Sequence, residues 1–389
     1  LFHVRPSFLY GAFGLLLVGF TALQLILGGL LMAQPAGALE QLHHGALQWI
    51  QQGTVDQAVL NACTPGQRTW MAVLARIYQL VQTIWGSVPL FAGVCLNIVA
   101  VNLSVVLLFL LCKKLWHGKV ALLAGAISVL FLPYYLVGSV FSPDLAVMPL
   151  ILGAMTLLVY GGQWQGRGCT LSRFGAGVLL GMGTCLKGSV VVLLVALLLY
   201  LVLHRVRQPV VAEAWSMMAG ALVPMVLLTW MVQGMFHSQG AWVGEQDPPI
   251  RVYLLAGLQE QGLEEESVAE ILTLPTQQEK VQAASAGLKA RLDQLGGTGL
   301  ITYWTGKAAS TWGDGTYGLT QTRGSVMRLG LLTQFITPGT TYYGVLEYLC
   351  QGIQIDLLFL LWVSLAWGAY RPGWNLLGSL RAGMAGLFL

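Results

Sequence analysis

Between Lys119 and Arg167 the sequence carries one charged residue, Asp144, set in Ser142-Pro143-Asp144 between two long apolar runs. A carboxylate at the lip of a membrane is costly and marks a functional position by default. Pro143 stops the preceding span and Asp144 lies near the start of the next helix, whose dipole alone would stabilise it as a simple cap. The alternative is a carboxylate facing a cavity, able to hold a metal, a sugar hydroxyl or a proton. The second candidate is Lys187, in Cys185-Leu186-Lys187-Gly188-Ser189 between two further apolar runs. Its ammonium either snorkels to headgroups or contacts a phosphate. Gly188-Ser189 leaves the next helix N-terminus open to an anion, which adds Ser189 to the candidates.

Glu40, His43 and His44 stand at i, i+3 and i+4 of one expected helix. Such a set either binds a divalent metal or forms the solvated face of an interfacial helix. Farther on, Lys307 and Thr311-Trp312-Gly313-Asp314-Gly315-Thr316-Tyr317 put an acid among aromatic residues. Gly-Asp-Gly is a turn signal, and the alternative is that Trp312 and Asp314 contact a substrate, with the aromatics stacking on a sugar or packing at the membrane edge.

The elements that must position these groups are apolar. Charged residues make up 9% of the 389, the hydrophobic fraction is 56% and mean hydropathy is +0.69. A soluble domain has about a quarter of its residues charged, so the composition is that of an integral membrane protein. The net charge of +4 is too small and scattered for a nucleic-acid partner. A span needs about 20 apolar residues, and the runs 8–32, 89–112, 120–141, 144–161, 173–186, 188–204, 214–236, 353–370 and 374–389 qualify, the fifth and the last being short. Their backbones must be satisfied internally, so they are helices.

Arg5, the Lys113/Lys114/Lys119 cluster, Arg167 with Arg173, Arg205 with Arg207, and Arg371 fall at alternate turns of this path. The positive-inside rule makes those turns and the N-terminus cytoplasmic. Segment 33–88, the Ser142–Asp144 turn, the Lys187-Gly188 turn and segment 237–352 then face outward. Segment 33–88 holds amphipathic stretches at 38–52 and 67–86, expected to lie along the outer surface. In the second, Trp70, Val73, Leu74, Ile77, Leu80, Val81 and Ile84 fall at helical spacing, with Arg68, Arg76, Gln79 and Gln82 between them. Segment 237–352 carries 11 of the 16 acids and reads as a mostly helical extracellular module. In it, a helix over Gln277–Leu295, with Val281, Ala284, Leu288 and Leu292 on one face, is closed by Gly296-Gly297. The domains are therefore 1–236, a membrane module; 237–352, the outer module; and 353–389, C-terminal spans. Because the chain begins at Leu1 and ends in an apolar stretch, both ends are expected to be incomplete. Phe8–Met32 is longer than a signal-peptide core and reads as a retained span, with Ala33–Ala38 the stretch that could imitate a cleavage site.

The six cysteines have no CxxC spacing and read as small core hydrophobes. Asn102-Leu103-Ser104 has the form of a glycosylation sequon but lies within a span. Gly177-Val178-Leu179-Leu180-Gly181 reads as a close helix contact. No fixed-period repeat is evident, against solenoids and inverted-repeat transporters.

One span, an outward segment with two surface helices, six further spans and an outer module together resemble the membrane-embedded GT-C glycosyltransferases. The narrower likeness is to a Gram-positive bacterial branch of the polyprenyl-phosphate mannosyltransferase-like proteins, related to the dolichyl-phosphate-mannose-protein mannosyltransferases. It rests on Phe131–Leu150 around Ser-Pro-Asp, Gly175–Leu199 around Leu-Lys-Gly-Ser, Tyr253–Gln259 and Lys307–Tyr317. The fold it implies is an all-α polytopic bundle of about nine transmembrane helices with two juxtamembrane helices. The activity it implies is transfer of a sugar from a polyprenyl-phosphate carrier to a cell-envelope glycan or protein acceptor outside the membrane. By resemblance Asp144 matches the acid of the second outward loop, and Lys187 a residue near the carrier phosphate. The family's aspartate soon after the first span is missing, because Pro35–Gln41 holds only Glu40.

The leading expectation is therefore an inverting glycosyltransferase of the bacterial cell membrane. Glu40 or Asp144 would deprotonate the acceptor, and Lys187 would neutralise the leaving phosphate from across one cavity. No cofactor is required, a divalent metal being optional. The alternatives are a catalytically silent relative acting as a lipid-binding scaffold or a subunit with a membrane protein partner, and a transporter or flippase.

Overall fold

The computed structural model describes residues 6–86, 90–162, 166–204, 210–237, 248–259, 266–319, 323–326 and 330–370. Helix α1 (Pro6–Leu31) leads into strand β1 (Ala33–Pro35), then α2 (Ala38–Gln52), α3 (Gln57–Ala62) and α4 (Pro65–Trp85). There follow α5 (Phe91–Leu115), α6 (Gly118–Leu130), the single turn α7 (Pro133–Leu136), α8 (Pro143–Gly161), α9 (Arg167–Leu186), α10 (Val190–His204) and α11 (Val210–His237). The distal part is α12 (Ile250–Gly257), α13 (Glu266–Thr273), α14 (Gln277–Gly313), strand β2 (Arg323–Val326), α15 (Thr333–Ile336) and α16 (Tyr343–Tyr370).

Among the described residues α1, α5, α8, α9 and α11 are long and apolar enough to cross a membrane, and the bent pair α6–α7 makes a sixth span if counted as one. The protein is an all-α, multi-pass membrane protein; β1 and β2 form a short antiparallel ribbon, Ala33 opposite Val326 and Pro35 opposite Arg323. Of the other expected spans, 188–204 forms the 15-residue α10, 353–370 falls within the longer α16, and 374–389 lies outside the described residues. The fifth run is longer than expected, because α9 starts at Arg167. Arg173 is consequently inside a helix, buried and ion-paired with Glu213 of α11, instead of in a loop with Arg167. Arg5, Arg205, Arg207 and Arg371 lie outside the described residues.

The run 120–141 does not stay straight. After α6, the segment Pro133–Ser139 departs at 53°; Pro133 lacks an amide hydrogen and disfavours helix at the residue before it. Val140 and Ser142 are then extended. Non-helical backbone at membrane depth survives only if its polar groups find partners. Asn97 of α5, fully buried, supplies them. Its amide nitrogen donates to the carbonyls of Gly138 (3.2 Å) and Val140 (2.6 Å), and its oxygen accepts from the Ser142 amide (3.1 Å). This triple bond set ends where α8 begins and puts Asp144 in the first turn of that helix.

Helices α9 and α11 pack with their backbones almost touching. A Cβ at Gly177 would lie 2.0 Å from the Met217 carbonyl oxygen, at Gly181 2.2 Å from that of Ala221, and at Gly220 2.1 Å from that of Phe174. The expected close contact at Gly177 and Gly181 is thus borne out, and only glycine fits there. Between α1 and α5, Asn102 donates to Gln24 (2.7 Å) and accepts from Thr21 (3.1 Å), so the sequon-like asparagine ties two helices together.

The two amphipathic stretches form α2 and α4, with α3 between them. Thr64 and Gln67 form a capping box at the start of α4, and Gly53 and Gly86 close α2 and α4 in the left-handed conformation. On α4 one polar residue departs from the expected pattern. Arg68 is buried, its Nε donating to the Leu60 carbonyl at the end of α3 (2.8 Å), while Leu80 and Ile84 are exposed. In the distal part, Gly296 with φ +59° breaks α14, where the sequence placed a helix end. Ala284 is buried in a small core with Val252, Leu255 and Val268, whereas Leu292 of the same expected face is exposed.

Replacing Asn97 by Ala removes two donors and one acceptor from buried backbone groups. At about 1–3 kcal/mol for each group left unsatisfied, Asn97→Ala is expected to lower the detergent-solubilised thermal midpoint by several degrees and to speed hydrogen exchange at the Ser142 amide.

Candidate active site

Three chain junctions meet around a cleft of about 680 Å³. They are Thr64–Trp70 at the start of α4, Ser142–Asp144 at the start of α8 and Thr184–Gly188 at the end of α9, with Thr229 and Gln233 of α11 and Tyr253 of α12 completing the wall. Gly66 makes the first and third junctions meet: a Cβ there would lie 2.9 Å from the Leu186 carbonyl oxygen. Any other residue would push the start of α4 off the end of α9.

Helices α8 and α9 form an antiparallel hairpin, so the first turn of α8 lies beside the last turn of α9. Lys187 leaves α9 in extended conformation, and its ammonium forms an ion pair with the Asp144 carboxylate. The side chains remain 42% and 64% exposed respectively, and a pair so accessible is worth only about 0–1 kcal/mol. The expectation of a carboxylate and a cation facing each other across the cavity is corrected here. The hairpin brings them into direct contact at the lip.

The other candidates do not join them. Glu40 is exposed on α2, and its neighbour Leu39 faces the cleft in its place. A step of one residue turns a helix by about 100°, which carries Glu40 away. Ser189 is exposed in the turn before α10 and does not line the cleft. His43 points to the core, its Nδ1 2.9 Å from the Tyr78 hydroxyl, while His44 is exposed. Among the described residues no three of His, Cys, Asp and Glu are grouped so that they could hold a metal ion. Glu40, His43 and His44 therefore do not converge on one site.

Trp312 and Asp314 stand at the end of α14, also outside the cleft lining. The Asp314 carboxylate accepts from the Thr316 amide (2.8 Å) and hydroxyl (2.5 Å) and the Gly318 amide (2.9 Å), which makes the Gly-Asp-Gly turn expected from sequence. Burial raises its pKa, but these bonds outweigh burial and hold it below the usual carboxylate value. Beside the turn, the Gln351 side chain accepts from the Gly315 amide (3.0 Å), fixing it to α16.

Lys307 has a different task. Its ammonium donates to the Gly257 carbonyl (2.6 Å) and the Tyr303 hydroxyl (3.0 Å), while that hydroxyl donates to Gln259 (2.9 Å) and Arg291 donates to Leu258 (3.2 Å). The carbonyls at the end of α12 are thus held from α14, cations complementing the negative end of the helix dipole. Two of the four stretches that carried the family likeness, Tyr253–Gln259 and Lys307–Tyr317, prove to be physically joined by these bonds, and Tyr253 brings the first of them to the cleft.

Residues 72–232 match the family model of the dolichyl-phosphate-mannose-protein mannosyltransferases. The matched stretch is less than half of the chain, and the family is the one that the resemblance named. The match includes both members of the Asp144–Lys187 pair and Asn97, and leaves out Thr64–Trp70, Tyr253 and the distal helices. No curated protein and no solved structure matches the chain.

Arg68, Trp70 and Tyr253 join the cleft without having been singled out for it. Arg68 and Trp70 fitted an amphipathic pattern equally well, and Tyr253 lay within a motif with no assigned task. His43 offers a pH readout for this region. Burial, helped by the neighbouring His44 charge, lowers its pKa to about 4. Between pH 6.5 and 4 the unfolded chain takes up a proton that the native state refuses, so native stability is full above pH 6.5 and falls as pH drops through that window. The thermal midpoint is expected to fall over this range, and to fall less in His43→Gln.

Proposed function

We propose that the cleft transfers a sugar from a polyprenyl-phosphate carrier to an acceptor hydroxyl, with inversion at the anomeric carbon. The observation that carries this reading is the ion pair of Asp144 and Lys187 on a solvent-open cleft, inside the stretch that matches a mannosyltransferase family.

The carrier phosphate takes the Lys187 ammonium, and Asp144 is released from it. The freed carboxylate removes the acceptor proton as the acceptor oxygen bonds to the anomeric carbon. The bond from that carbon to the phosphate oxygen breaks, and the leaving phosphate keeps the electron pair beside the Lys187 charge. In-line displacement needs base and leaving group on opposite faces of the sugar, so Asp144 acts only after the pair has opened. A contact worth about 0–1 kcal/mol opens readily, and a phosphate is a strong competitor for an ammonium.

A catalytically silent carrier-lipid binder is the second reading. It is favoured by the place of Glu40 outside the cleft, which leaves Asp144 the sole carboxylate among the described lining residues.

The two charged residues are expected to move lipid binding in opposite directions. Asp144→Asn removes the competitor for Lys187 and a like charge, so polyprenyl phosphate should bind severalfold more tightly while sugar transfer falls by about 10²-fold or more. Lys187→Gln should weaken both. Equilibrium binding in nanodiscs and transfer from a labelled carrier lipid measure the two effects. Tighter binding in Asp144→Asn with undiminished transfer by the wild type's standard would remove Asp144 as base. Absence of transfer in the wild-type protein with intact lipid binding would favour the silent reading.

A further inference from the structure

Helix α11 reaches farther along the cleft than the helix it packs against. Gly177 meets the Met217 carbonyl, Gly181 meets that of Ala221, and the Cys185 thiol lies 3.9 Å from that of Pro224. The offset is nearly constant, so the two helices run parallel, and Leu186, the last residue of α9, is level with Val226. There α9 stops and Lys187 follows, whereas α11 continues to His237. At about 1.5 Å per residue, Thr229 stands about 4 Å and Gln233 about 10 Å beyond that level. Met225, Thr229 and Gln233 recur every four residues and so share one helix face, and all three line the cleft.

Thr229 and Gln233 are exposed, and among the described residues neither side chain has a hydrogen-bond partner. Polar side chains within a span ordinarily find one. Thr21, Thr156 and Thr184 each donate to the carbonyl four residues earlier, a common use of threonine in a helix. Thr229 does not. The exposed side chains on the other faces here, Val226, Leu227, Trp230 and Met231, are apolar, so the polar groups are confined to the cleft side. Their backbone is held in place. Val232, Met235 and Phe236 pack into the core, Phe236 edge-on to Trp49 of α2 with ring centroids 5.7 Å apart.

A hydroxyl and a carboxamide each donate and accept. That pair of abilities matches the hydroxyls of a sugar, whereas the oxygens of a phosphodiester only accept. In the proposed transfer the sugar is bonded to the phosphate that Lys187 holds, so it is the first group met beyond the end of α9. We propose that Thr229 and Gln233 form the sugar subsite of the cleft, hydrogen-bonding hydroxyls of the sugar that the donor lipid carries. The proposal rests on the reading of the cleft as the transfer site. It makes the part of α11 beyond α9 the element that recognises the sugar.

The test is the double variant Thr229→Val/Gln233→Met in the full chain, in phosphatidylcholine nanodiscs, whose headgroups carry no hydroxyl. These substitutions nearly keep the side-chain volumes and remove the polar atoms. Affinity is measured for polyprenyl phosphate and for the same lipid carrying mannose, along with the thermal midpoint without lipid. Affinity for the mannosyl lipid should fall about tenfold, as for loss of hydrogen bonds to a polar ligand. Affinity for the bare lipid should stay level. So should the lipid-free midpoint, because neither side chain has a partner to lose. Unchanged affinity for the mannosyl lipid overturns the proposal and leaves the transfer reading standing, as does an equal fall for both lipids or a wild-type protein that binds the bare lipid alone. A lower lipid-free midpoint also overturns it, because the two groups would then be structural. If the wild-type protein binds neither lipid, the transfer reading itself falls and takes this proposal with it.

Discussion

Everything at the cleft depends on one side-chain amide. A chain crossing an apolar medium can leave the helical state only where something replaces the lost backbone bonds. Asn97 does this for Gly138, Val140 and Ser142 at once. Without it, the bend after Pro133 would leave three polar groups unsatisfied, and the start of α8 would have no fixed position. The carboxylate at the lip, the aromatic contact between Trp70 and Phe141, and the meeting with Lys187 all follow from a residue that touches none of the chemistry.

The cleft divides its polar groups by accessibility. At the lip, Asp144 and Lys187 are open to solvent and hold each other weakly, which suits groups that must exchange partners. In the wall, Arg68 and Trp70 are buried and fixed, which suits groups that must not move. The distal helices contribute to the same enclosure indirectly. An eight-residue helix such as α12 is too short to be stable alone, and the bonds from Lys307, Tyr303 and Arg291 hold its end while Tyr253 reaches the cleft.

Much of this was legible in the sequence, and for physical reasons. Amphipathic spacing located α2 and α4, and the apolar runs located the long spans, because burial has a period. The hairpin logic brought Asp144 and Lys187 to the same end, because antiparallel helices joined by a short turn have no other choice. Facing was harder. Nothing in Pro35–Gln41 tells which side of α2 meets the cleft, so Glu40 looked as well placed as Leu39. Asn97 lay hidden in an apolar run, since its use depends on a break in a different helix. Arg68 fell on the expected polar face, yet the carbonyl it satisfies belongs to α3, which the sequence did not announce. Arg173 read as a loop cation until Glu213, on another helix, gave it a buried partner.

The glycine seam between α9 and α11 has a consequence for traffic. With the carbonyls of Met217 and Ala221 almost touching the opposing backbone, the two helices leave no gap at Gly177 and Gly181 through which a hydrocarbon tail could slide. They form a closed jamb. A long lipid entering the cleft from the bilayer would have to take another seam, so its side of entry would be set by residues whose contribution is to have no side chain.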